Sequence, residues 1–147
     1  MPRVKSIRHT GIVVDDLEIS LSFYRDFLGL EIFSKDVEIG DFIDNVVNLK
    51  NVKLEWIKLK SPNGNHLVEL LKYHTHPQKA PDNNHISNDI GCSHIAFTVN
   101  NIEQCYSDLI ELNMKPNNPP QVSPNGKAKV LYCNDPEGVL VELVEEL

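Results

Sequence analysis

Ile7-Arg-His-Thr-Gly-Ile-Val-Val-Asp-Asp-Leu-Glu18 and Cys92-Ser-His-Ile-Ala-Phe-Thr-Val-Asn-Asn-Ile-Glu103 are two versions of one phrase, 85 residues apart. His9 falls on His94, Val14 on Val99, Asp15-Asp16 on Asn100-Asn101, Leu17 on Ile102 and Glu18 on Glu103. A second phrase repeats as well. Pro62-Asn-Gly-Asn-His-Leu-Val-Glu-Leu70 sits over Pro136-Glu-Gly-Val-Leu-Val-Glu-Leu143, with one residue of slack. Each half therefore opens on a histidine and closes on a glutamate. An internal repeat decides the fold before any local reading does.

Outward from these phrases, the halves become modules at 4–72 and 92–147, joined by a polar, proline-bearing linker at 73–91. Residues 7–14 alternate as a strand does. Asp15 and Glu18, three apart, predict a capping box that opens a helix, and Asn100 with Glu103 repeats it. Leu17, Leu21, Tyr24 and Leu28 recur at helical spacing up to Gly29; Ile102, Tyr106, Leu109 and Leu112 do so before Met114-Lys-Pro116. Strand-like runs follow at Glu31–Ser34, Lys53–Leu59 and Leu67–Lys72, with Asn63-Gly64 predicting a hairpin turn between the last two. In the second half Ala128–Cys133 and Val139–Glu145 flank the turn at 134–138, and a further strand is expected near 117–123. The fold class is α+β, two tandem βαβββ modules.

Strand parity then gives the repeated polar residues a direction. His94 shares a face with Ala96 and Thr98, opposite Ile95, Phe97 and Val99; His9 shares one with Gly11, opposite Ile12 and Val14. Glu69 stands between Val68 and Leu70, and Glu142 between Val141 and Leu143. The bulky sets should pack on the helices, so all four polar side chains face away from them. A lone strand histidine is more often a hydrogen-bonded structural residue than a ligand. Four such residues at matched positions can instead offset the cost of burying their polar groups by sharing a cation. Nitrogen and oxygen donors without thiolates suit Fe(II), Mn, Co, Ni or Zn. Four protein ligands, His9, Glu69, His94 and Glu142, leave open positions on an octahedral ion for water or substrate.

Composition narrows the alternatives. The 147 residues carry 41% hydrophobic and 24% charged side chains, enough to build a core in a soluble protein. The net charge of −7 disfavours nucleic acid and anionic membranes as partners. No apolar run approaches the roughly 20 residues of a membrane span, and Met1–Gly11 does not resemble a secretory signal, so a cytoplasmic location is expected. Cys92, Cys105 and Cys133 form no C-x-x-C pair and are expected to be buried, reduced thiols.

His9-Thr-Gly-Ile-Val-Val-Asp-Asp-Leu, Phe23-Tyr-Arg-Asp-Phe-Leu-Gly-Leu30, Val68-Glu-Leu-Leu71, His94-Ile-Ala-Phe-Thr-Val and Asp135-Pro-Glu-Gly-Val-Leu-Val-Glu-Leu143 resemble the vicinal oxygen chelate superfamily. That family includes glyoxalase I, methylmalonyl-CoA epimerase, extradiol dioxygenases and the fosfomycin- and bleomycin-resistance proteins. The resemblance covers nearly the whole chain. It implies paired βαβββ units curling into an incomplete barrel around one divalent metal, with His9, Glu69, His94 and Glu142 at the four ligand positions. Extradiol dioxygenases and fosfomycin enzymes use two histidines and one glutamate. A carboxylate at Glu69 looks instead like the glyoxalase I and epimerase branch, a lyase or isomerase chemistry. There the metal polarises a carbonyl or thioester and a glutamate, here Glu142 or Glu69, moves the adjacent proton. Bacterial glyoxalase I proteins also carry an arginine and an asparagine that contact glutathione; Val13 and Tyr73 stand there in this chain. A homodimer is the expected assembly, because the open edges of such sheets need covering.

Two rival functions share these residues. One is an Fe(II) ring-cleaving dioxygenase using His9, His94 and Glu142; the other is a metal-free protein that binds a small toxic molecule. His66, His74, His76 and His85 fall on polar turns and the linker, where solvated loop histidines are commoner than an accessory metal site. Trp56 and Phe42 could line a substrate pocket, although a tryptophan in an alternating strand is more often packing. Residues 35–50 are the longest unmatched insert, read as a surface loop.

Overall fold

The computed structural model describes residues 3–77 and 86–147. The chain divides into two compact units, Met1–Lys79 and Ala80–Leu147. Residues 78–85 of the expected linker, His85 among them, lie outside the described residues.

The first unit runs β1 (His9–Val13), α1 (Leu17–Leu21) continuing as a π-helical segment (Ser22–Phe27), β2 (Glu31–Ile39), α2 (Asp41–Val47), β3 (Lys53–Lys60) and β4 (Leu67–Tyr73). The second runs β5 (Ile95–Thr98), α3 (Ile102–Glu111), β6 (Gln121–Val122), β7 (Ala128–Asn134) and β8 (Leu140–Glu146). The sheets have the same order, β1-β4-β3-β2 and β5-β8-β7-β6. In both, the first and last strands pair in parallel and the others antiparallel. The repeat in sequence is thus a repeat in topology, and the fold is α+β built from two βαβββ modules.

Register confirms the parity. Gly11 pairs with Glu69 and Ala96 with Glu142, while Ile12 pairs with Leu70 and Phe97 with Leu143. The cores lie on the apolar faces. Val68, Leu70, Ile57 and Leu59 are buried with Phe23 and Tyr24 in one unit. Val141, Leu143, Leu131 and Cys133 are buried with Ile102 and Leu109 in the other. Phe23 and Tyr24 meet edge to face at 5.0 Å between ring centroids. The π turn that carries them is visible in the Leu28 amide donating to the Phe23 carbonyl at 2.9 Å.

Several local expectations are corrected. The helix caps lie one residue later than predicted. Asp16 accepts from the amides of Glu18 and Ile19, and Asn101 from that of Gln104, so neither cap forms the predicted box with Glu18 or Glu103. Asp15 is drawn elsewhere, into an ion pair with Lys72 at 3.0 Å. Asn63-Gly64 is not the centre of a two-residue hairpin. Gly64 closes a turn onto the Ser61 carbonyl, with Pro62 and Asn63 as the central residues, because proline presets the backbone of the first central position. The insert 35–50 is not a plain loop. Its first part extends β2 to Ile39 past a bulge at Ile32–Ser34, and its remainder forms α2. Ile43 of α2 joins Val52 and Leu54 in a small buried cluster, with Val47, Leu71 and Tyr73 against it. The expected strand near 117–123 is present as the two residues of β6.

Candidate functional site

Each sheet brings one histidine and one glutamate together. His9 Nε2 lies 2.9 Å from Glu69 Oε2, and His94 Nε2 lies 2.9 Å from Glu142 Oε2. The parallel pairing explains the match. His9 is two residues before Gly11, the register partner of Glu69, and His94 is two before Ala96, the partner of Glu142. In each sheet the His and Glu therefore share a face, and the small residue between them, Gly11 or Ala96, leaves room for the imidazole and carboxylate to meet. At Gly11 even a Cβ would stand 3.2 Å from Leu71 Cδ1. Glu69 is buried at 8% exposure, a poor place for a carboxylate with nothing to hold. Among the described residues, no group of three or more His, Cys, Asp or Glu side chains stands close enough to hold a metal ion. Each pair offers one imidazole nitrogen and one carboxylate.

His94 is oriented from behind. Ser93 Oγ lies 3.1 Å from His94 Nδ1 and donates to the Ser87 carbonyl, also at 3.1 Å. Ser93 therefore holds the Nδ1 side of the imidazole and turns Nε2 toward Glu142.

The two pairs differ in what flanks them, and sequence reading missed both neighbours. Lys58 is the cross-strand partner of Glu69 and Tyr132 that of Glu142. Lys58 Nζ lies 3.8 Å from Glu69 Oε1 and 4.4 Å from the centroid of the Trp56 ring. Tyr132 Oη reaches 3.5 Å from His94 Nε2, its ring packed edge to face on the imidazole at 5.1 Å. Burial first, then the charge of Glu142 and a hydrogen bond to it, pushes the Tyr132 phenol above its ordinary range. The phenol therefore stays protonated and donates. The signal that finds these residues is cross-strand adjacency to the glutamates, available once the hairpin register is known.

The remaining candidates scatter. His66 bonds Thr10 Oγ1 at 2.8 Å and His74 bonds Glu55 at 2.7 Å, each with its own partner. Phe42 is exposed on α2, and Trp56 shares the ligand face beside Lys58. Val13 is exposed at the end of β1, and Tyr73 ends β4 against the α2 cluster. The three cysteines are free, but Cys92 is exposed rather than buried because it precedes β5. No helix among the described residues is long and apolar enough to cross a membrane.

The family model for the Glyoxalase/Bleomycin resistance protein/Dioxygenase superfamily matches residues 6–143. The chain is 25% identical over 143 residues to the uncharacterized protein YaeR of Escherichia coli, covering 97% of this chain and 98% of that one. It is 28% identical over 138 residues to a probable lactoylglutathione lyase of Synechocystis, covering 93% and 92%. A glyoxalase family protein from Bacillus cereus has the same fold, with a TM-score of 0.89 at 24% identity, over 99% of this chain and 97% of that one.

Proposed function

The chain belongs to the Glyoxalase/Bleomycin resistance protein/Dioxygenase superfamily, and on that premise we propose that it is a metal-dependent lyase or isomerase acting on a small carbonyl compound or thioester. The observation that carries this reading is the duplicated pair: His9 with Glu69 and His94 with Glu142, each at 2.9 Å, at matched positions of two like sheets. In this reading His9, Glu69, His94 and Glu142 are the ligands of the metal. A divalent metal, when bound, supplies a Lewis acid that draws charge onto a carbonyl oxygen. Its nitrogen and oxygen donors fit Ni, Co, Zn, Mn or Fe(II).

The protein's own side chains do the rest. His9 and His94 present ring nitrogens, and Ser93 holds the ring of His94 in orientation through Nδ1. Glu69 or Glu142 takes the proton from the carbon beside the carbonyl and returns it to the neighbouring carbon. Tyr132 orients Glu142 by hydrogen bonding and keeps its own proton, while Lys58 stands against Glu69. The presence of Glu69 as a fourth donor favours proton transfer over ring cleavage. Support also comes from the name of the Synechocystis relative, a probable lactoylglutathione lyase.

The test is metal-dependent exchange of substrate α-protons for deuterium, followed by NMR across a panel of 2-oxoaldehyde hemithioacetals and acyl thioesters. Exchange that requires metal and disappears in both Glu69→Gln and Glu142→Gln supports the reading. Full exchange in both variants, or oxygen uptake with catechols in its place, contradicts it.

A further inference from the structure

Ser-Pro-Asn-Gly occurs twice in the chain, as Ser61–Gly64 before β4 and as Ser123–Gly126 before β7. The two turns hold the same four residues differently. In the second, Asn125 Oδ1 accepts from Ser123 Oγ at 2.7 Å and from the Lys127 amide at 3.0 Å. The Gly126 amide donates to the Ser123 carbonyl at 2.8 Å, with Gly126 at φ +70°. In the first, the Gly64 amide lies 3.5 Å from the Ser61 carbonyl, too long to hold it firmly. Asn63 and Gly64 are both exposed, and the Asn63 side chain has no hydrogen-bond partner among the described residues.

We propose that Asn63 is a site of spontaneous succinimide formation and deamidation, and that the folded chain protects Asn125 from the same reaction. The Gly64 amide nitrogen gives its proton to hydroxide and attacks Asn63 Cγ. A bond forms between Gly64 N and Asn63 Cγ, the Cγ–Nδ2 bond breaks, and Nδ2 takes a proton from water and leaves as ammonia. Water then opens the succinimide at either carbonyl, giving aspartate or isoaspartate. The balance is asparagine plus water to acid plus ammonia, with no change of oxidation state. Glycine suits the attack because no Cβ restricts the approach of its nitrogen. Two motions are needed. The asparagine must swing Cγ onto the following nitrogen, and that nitrogen must be free of an acceptor. Asn63 and Gly64 meet both conditions. Asn125 and Gly126 must first give up the bonds at Oδ1 and at the glycine amide. The loss should slow Asn125 about tenfold or more. The product adds a negative charge to the loop between Lys60 and Leu67, which pair across β3 and β4. Isoaspartate also lengthens the main chain of that loop by a methylene.

The test incubates the full chain in warm, mildly alkaline buffer, with folding followed by circular dichroism. Peptide mass mapping reads the amide-to-acid mass gain at each site, and isoaspartyl methyltransferase labels the isoaspartate. In the folded chain Asn63 should convert about tenfold or more faster than Asn125. In urea, where both turns are lost, the two identical tetrapeptides should convert at similar rates. Asn63→Gln should abolish the fast conversion. Gly64→Ala should do so as well; its Cβ would stand 2.5 Å from the Ser61 hydroxyl, which can rotate away. Ser123→Ala removes one bond to Asn125 and should raise the rate there. Equal rates in the folded chain, or a faster Asn125, overturn the proposal. So does a difference that persists undiminished in urea, or an Asn63 that stays intact while the unfolded chain reacts.

Discussion

Replacing Glu69 by glutamine should leave the metal-free protein nearly as stable as before and remove most of its stabilisation by metal. The side chain is 11% exposed, and it makes ionic contacts with His9 at 2.9 Å and Lys58 at 3.8 Å. Glutamine keeps the shape and one hydrogen bond to the imidazole, so the metal-free cost is about 1 kcal/mol. Linkage sets the other side. Zinc at about one hundred times its dissociation constant stabilises the folded state by about 2.7 kcal/mol. For a chain of this length that is roughly 5–10 °C in the midpoint of thermal unfolding. Losing a carboxylate ligand should weaken binding by about 100-fold or more, since even outer partners of metal ligands are worth about 10–100-fold. The same zinc then contributes about 0.4 kcal/mol or less, a shift of roughly 1 °C. Thermal scans of wild type and Glu69→Gln, with zinc and with chelator, measure both quantities. A full zinc shift in the variant refutes the assignment of Glu69 as a ligand. A metal-free protein destabilised by several kcal/mol would instead make Glu69 a structural residue.

Other consequences follow from the packing and the caps. Leu70→Ala and Leu143→Ala remove fully buried side chains at matched positions, and each should cost about 2–5 kcal/mol in urea unfolding. Asp16→Ala and Asn101→Ala should each cost about 1 kcal/mol, and more than Asp15→Ala or Asn100→Ala, which reverses the order the capping-box reading gives. Burial pushes the Cys133 thiol up to about 12, while Cys92 is exposed. Iodoacetamide at mildly alkaline pH should therefore label Cys92 first and Cys133 only on unfolding, as read by mass spectrometry. The raised Cys133 value has a sign for stability as well. The unfolded chain loses this proton first, so the contribution is complete below the ordinary thiol range and declines as pH rises toward about 12.

Much of this protein was legible in its sequence because it is written twice. The recurrence of His9 as His94 and of Glu69 as Glu142 located the strands, and period-two parity put each pair on the face opposite Leu70 and Leu143. What escaped depended on contacts that local pattern does not encode. Asp15 and Asp16 are both competent caps, as are Asn100 and Asn101, and in each module it is the second that turns to the helix, while Asp15 pairs with Lys72 on the neighbouring strand. Residues 41–47 carry too short an apolar pattern to announce α2, which exists because Ile43 finds Val52 and Leu54. Lys58 and Tyr132 look like ordinary alternating strand residues until the antiparallel register sets them beside the glutamates. Asn63-Gly64 misled because Pro62 takes the turn one residue earlier.

The central claim is that two His–Glu pairs make one metal centre, and metal stoichiometry tests it most directly. Protein stripped of metal, dialysed against buffered zinc and assayed by elemental analysis should hold one ion per chain. Each of His9→Ala, Glu69→Gln, His94→Ala and Glu142→Gln should lower the affinity of that single site. Two ions per chain, with each variant losing only one, would make the pairs separate sites and contradict the account; so would no bound ion at all.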